Sequence, residues 1–126
     1  MSVTFVLKDT PYVRVNPEAE NWDLVPAEGF YELNVANATF VDLMMQLGRV
    51  KDAKRYYGEW LREELLPILL SVRKAKNIEG VLVTDDVVDG NIVHCGRSQK
   101  NVNFVLSQLE KILTSAIEKS TSVVFA

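Results

Sequence analysis

The sequence predicts an α+β domain, with a mostly antiparallel sheet of five to six strands packed against two long helices and one short helix, in the order β-β-β-α-α-β-β-α-β. Three observations carry this expectation. Short apolar runs with strand character stand at both ends of the chain, and an Asp-Gly pair separates two β-branched runs near residue 90. Two long stretches elsewhere repeat apolar residues every three or four positions, the spacing of one helical face. At 126 residues the chain suits one domain over 1–126, since two halves would each struggle to bury a core.

Val3, Phe5 and Leu7 alternate with Thr4, Val6 and Lys8 before Thr10-Pro11 interrupts, so residues 2–8 read as a strand. Tyr12-Val13-Arg14-Val15 forms a short second strand. Residues 16–32 hold Pro17, Pro26 and Gly29 with Glu18, Glu20, Asp23, Glu28 and Glu32 and no Lys or Arg, an acidic loop that also carries Trp22. A Trp in such a loop is either tucked onto the core or presented to a partner. Phe30 to Val35 reads as a third strand. Asn37 or Thr39 then offers a capping oxygen for a short helix through Phe40, Val41, Leu43, Met44 and Leu47, closed by Gly48.

After Gly48, Val50, Ala53, Tyr57, Trp60, Leu61, Leu65, Ile68, Leu69 and Val72 predict one helix to about Lys76, kinked at Pro67, whose ring removes a backbone donor. Residues 80–88 and 91–96 flank Asp89-Gly90 as a hairpin. Ser98 caps a last helix with the stripe Val102, Val105, Leu106, Leu109, Ile112, Leu113 and Ala116, and Ser122 to Ala126 reads as a terminal strand.

Composition removes much chemistry. Hydrophobic residues at 48% and charged residues at 25% are globular values. Fourteen Lys and Arg against 17 Asp and Glu leave a charge of -3, which removes the overall drive toward nucleic acid, and although net charge does not exclude a local basic face, no nucleic-acid partner is expected. One cysteine and one histidine exclude an intrachain disulfide and a structural zinc site, and no cofactor or metal is expected. The first residues lack a secretory pattern and no apolar run approaches membrane length, which gives a cytoplasmic expectation with no membrane partner.

With Asp89 and Gly90 as turn residues, counting pairs Asp85 with His94 across the hairpin, a base with an orienting carboxylate but no nucleophile. Cys95 points to the opposite strand face from His94. An ion pair on an exposed hairpin explains Asp85 and His94 as simply, and solubilising charge explains Asp85, Asp86 and Asp89, which lack calcium-loop spacing. Gly96-Arg97-Ser98 suggests helix capping as readily as anion binding. Arg49, Lys51, Lys54, Arg55 and Arg62 interleave with Tyr56, Tyr57 and Trp60, but Asp52, Glu59, Glu63 and Glu64 dilute them into an ordinary salt-bridged helix. Tyr57 and Trp60 fall on the core stripe. Tyr56 does not, and is the better contact residue.

These features favour a non-catalytic protein-binding module over an enzyme. The partner-binding candidates are Glu18, Glu20, Trp22, Asp23, Glu28 and Tyr56, which suit a basic protein partner. In size and charge the chain is similar to bacterial immunity and antitoxin-type proteins, including those of contact-dependent inhibition systems, which implies occlusion of a toxin's basic active site. The alternative is a small enzyme or ligand-binding accessory subunit using Asp85 and His94. Homo-oligomer formation through the aromatic second helix or the terminal strand is compatible with either.

Overall fold

Alternation at the N-terminus turns Val3, Phe5 and Leu7 of β1 (Ser2–Leu7) inward, where all three are buried. The structure, a computed structural model, describes residues 1–15 and 24–126. In chain order it contains β1, β2 (Tyr12–Arg14), β3 (Leu24–Pro26), β4 (Glu32–Ala36), α1 (Asn37–Gln46), α2 (Val50–Ala53), β5 (Gly58–Trp60), α3 (Arg62–Lys76), β6 (Val87–Asp89), β7 (Ile92–His94), α4 (Gln99–Glu118) and β8 (Val123–Phe125). The architecture is α+β. Its main sheet is antiparallel throughout, in the order β4-β1-β8-β5, with β2-β3 and β6-β7 as separate two-stranded sheets. The main sheet thus has four strands rather than five or six, because the two short pairs stand apart from it.

The inner sheet face joins Leu33, Val35, Trp60, Val123 and Phe125 to the β1 residues. Helices α1 and α4 cover it, and α3 packs on α4. Phe5 stacks against Phe40, Trp60 and Phe125 with ring centroids 5.9, 5.5 and 5.5 Å away, which ties α1 and three strands into one aromatic cluster. The outer face is polar along β4, where Asn34 Nδ2 donates to Ser2 Oγ at 2.9 Å and Thr4 Oγ1 at 2.8 Å. Asn34 therefore bridges β4 to β1.

Three local expectations need correction. The helix expected from 50 to 76 is two helices with a strand between them. Tyr56 takes a φ of +61°, which ends the helical turn, and Gly58 lies so close to the Phe125 ring that a Cβ would sit 2.8 Å from Cζ. Trp60 is then buried as an edge-strand residue opposite Val123, whereas Tyr57 is 63% exposed and off the core. The three-and-four spacing therefore ran across three separate elements.

The second correction concerns helix ends. Helix α3 runs through Pro67 and ends at Lys76, as expected. The donor that Pro67 lacks would have served Glu63, in the first turn, where few bonds depend on it. Neither Asn37 nor Thr39 caps α1, which starts from Ala36 without a side-chain cap, while Gly48 closes it at φ +74° as expected. Ser98 does cap α4, its Oγ accepting from Asn101 N at 3.2 Å.

The third is the hairpin register. Asp89 pairs with Ile92, Val88 with Val93 and Val87 with His94, so the turn residues are Gly90 and Asn91. Gly90 takes φ +61° at the first central position, where a type II′ turn needs a left-handed residue. The terminal strand β8 behaves as expected and lies inside the sheet, between β1 and β5.

Candidate functional site

The β2-β3 pair forms an arm beside the main sheet. Tyr12 faces Pro26, Val13 faces Val25 and Arg14 faces Leu24, and Ala27 N donates to Pro11 O at 2.8 Å to close the base. Period-two alternation should hide one face, yet Tyr12, Val13, Val15, Leu24 and Val25 are all exposed. The phenol of Tyr12 donates to Glu32 Oε2 at 2.9 Å and anchors the arm to β4. Partial burial, with the Glu32 carboxylate beside it, raises the Tyr12 pKa, so the phenol keeps its proton and the anchor persists.

Of the expected contact residues, Glu18, Glu20, Trp22 and Asp23 lie outside the described residues, in the segment that joins β2 to β3. Glu28 follows β3 and is exposed. Tyr56 lies between α2 and β5, 40% exposed, with its ring 5.6 Å from that of Phe40. The structure thus separates Tyr56 from the arm in element order and gives it a different neighbourhood.

The pairing proposed for Asp85 and His94 is not the one the ladder makes. Val87 stands across from His94, and the same register continues outward until Thr84 N donates to Arg97 O at 3.1 Å. That continuation brings residues 84 and 85 onto Gly96, where a Cβ would lie 2.1 Å from Thr84 O, so the site accepts only glycine. Asp86 is engaged with the backbone, its Oδ1 accepting from Gly96 N at 2.7 Å. Cys95 is a free, exposed thiol. Among the described residues no three His, Cys, Asp or Glu side chains gather as metal ligands. Arg97 is a structural clamp: Nε donates to Leu82 O at 2.8 Å, Nη1 to Thr39 Oγ1 at 3.2 Å and Nη2 to the Asp42 carboxylate, joining α1 to the start of α4.

Sequence reasoning missed the most organised polar cluster. Asp52, only 2% exposed, accepts from Arg49 Nε at 2.8 Å, Trp60 Nε1 at 2.9 Å and Arg55 Nη2 at 3.3 Å. Arg49 also reaches Glu64 Oε1 at 3.3 Å, and Glu64 Oε2 accepts from Leu61 N at 2.9 Å at the head of α3. Burial alone would raise the Asp52 pKa, but the bonds from Trp60, Arg49 and Arg55 and the Arg49 charge outweigh it and hold the carboxyl below its usual range. The Arg49-x-x-Asp52 spacing was the available signal, since residues three apart meet on one helical turn. Among the described residues no buried side-chain nitrogen or oxygen lacks a partner, and the Asp52 carboxylate is fully engaged, so the cluster orders α2, β5 and α3.

Among the described residues no helix is long and apolar enough to cross a membrane. Comparison of the chain with protein-family models, curated proteins and solved structures returns no significant match in any of the three.

Proposed function

We propose that this chain is a protein-binding module that acts by occlusion, in the manner of an immunity or antitoxin-type protein covering the basic active site of a toxin. One observation carries the reading: the β2-β3 arm holds Tyr12, Val13, Val15, Leu24 and Val25 exposed on both sides of an acidic segment. Isolated exposed apolar residues are ordinary, but a two-stranded arm with five of them is a patch that water does not favour and a partner can cover. Glu18, Glu20, Asp23 and Glu28 supply the charge that steers a basic surface toward it, and Trp22 is the aromatic anchor.

The test is binding to any toxin domain encoded beside this chain, measured at low and physiological salt. Val13→Asp with Leu24→Asp, and separately Glu18, Glu20 and Asp23 to Lys, should each weaken affinity at least tenfold, the second mainly through slower, less salt-sensitive association. Trp22→Ala should lower affinity with little change in melting temperature. His94→Ala and Asp85→Asn should leave inhibition intact. Unchanged affinity in the arm variants, or loss of function in the two hairpin variants with folding preserved, overturns the reading.

A further inference from the structure

We propose that the turn spanning residues 51–57, between α2 and β5, is a second binding surface, for single-stranded nucleic acid. As one continuous helix this stretch would mix its cations with Asp52, Glu59, Glu63 and Glu64. The break in the helix sorts them. Asp52 turns into the core, Glu59 pairs with Lys8 at 3.4 Å, and Glu64 is committed to Arg49 and to Leu61 N. Glu63 remains exposed, one turn into α3.

Lys51, Lys54 and Arg55 are left exposed on one short turn, followed by the exposed rings of Tyr56 and Tyr57. Among the described residues neither Lys51 nor Lys54 makes an ion pair, and Arg55 makes only the long contact to Asp52. Residues 49–55 hold four cations against one buried carboxylate, in a chain whose net charge is -3. Beside them lies a cleft of about 470 Å³ bounded by Arg49, Lys51, Arg55 and Glu64.

Backbone geometry makes the aromatics more telling. Tyr56 holds φ +61° although it is not glycine, a conformation that disfavours a bulky side chain. After this strained turn Tyr57 is 63% exposed and outside the core. Two adjacent exposed rings flanked by exposed cations match what a single strand requires: phosphates drawn to Lys51, Lys54 and Arg55, and bases stacked on Tyr57 and the exposed part of Tyr56. An acidic protein is the weaker fit, because lysines are depleted from the centres of protein interfaces and base stacking has no counterpart there.

Labelled oligo-dT of about ten nucleotides, titrated by fluorescence anisotropy at low salt, tests this. Binding should weaken with salt at a log-log slope near -2, from roughly 0.7 per contact over the three cations. Tyr57→Ala should lower affinity about tenfold with unchanged melting temperature, whereas Tyr57→Trp should restore it. Lys51→Glu with Lys54→Glu should abolish binding, and Val13→Asp with Leu24→Asp should not affect it, which separates this surface from the arm. No binding at low salt overturns the proposal. So does equal affinity for polyglutamate, or binding that survives both Tyr57→Ala and the double Lys variant.

Discussion

Removing the Asp52 carboxylate is the sharpest test of how the break between α2 and α3 is held. Asp52→Ala deletes the acceptor of the fully buried Trp60 Nε1–H, and an unsatisfied donor there costs about 1–3 kcal/mol. It also strands Arg49, whose side chain is 27% exposed and keeps only Glu64, so water offsets part of the loss. That contribution should be about 1–2 kcal/mol, below the range for breaking a fully dry pair. Arg55, 55% exposed, adds nothing measurable. The expected total is about 3 kcal/mol, a large part of a domain's 5–15, and lowers the melting temperature by roughly 10 °C.

Asp52→Asn keeps an oxygen for Trp60 and loses only the charge, so it should cost about 1–2 kcal/mol. Because the folded Asp52 pKa lies below its ordinary 3.8, the stability from its charge is complete above that value and is lost as pH falls through the folded pKa. The gap between wild type and Asp52→Asn should therefore narrow below about pH 4. Urea denaturation followed by Trp fluorescence at pH 7 and pH 3 measures all of this. Should Asp52→Ala cost under about 0.5 kcal/mol, or the Asn gap stay constant with pH, the cluster is not holding the break.

Gly96→Ala should destabilise by about 1–3 kcal/mol, because its Cβ would meet backbone atoms of Thr84 and Asp85, which cannot move aside as a side-chain tip can; a melting curve decides it. Arg97→Lys should cost about 1–2 kcal/mol despite keeping the charge, since one ammonium cannot reach Leu82 O, Thr39 and Asp42 together, and equal stability would refute the clamp. Val88→Thr and Val93→Thr should leave the melting temperature within about 0.5 kcal/mol equivalent, because both side chains face solvent on the β6-β7 hairpin.

Much of the fold was legible from local pattern. Strand β1, helices α1 and α4 and the terminal strand β8 each satisfy one periodicity over their whole length and bury one face, so burial and spacing agree without knowledge of neighbours. The acidic segment and its Trp22 were likewise legible, since charge sign needs no coordinates. What the sequence determined by itself was therefore the α+β class, the elements with a single unbroken period, and the charge of the segment between β2 and β3.

Only the tertiary structure decided the rest. Ala53, Tyr57 and Trp60 keep helical spacing, but Trp60 finds its place by pairing with Val123, more than 60 residues away, and by stacking on Phe5 and Phe125. A local period cannot reveal that pairing, and it is what splits the helix, exposes Tyr57 and brings the Trp60 indole onto the buried Asp52 carboxylate. The hairpin register was decided by which residue reached the left-handed turn position, Gly90, and by the close approach of Thr84 to Gly96. Both depend on contacts between chain segments, and a shift of two residues preserves the face of every side chain, so alternation alone could not distinguish them.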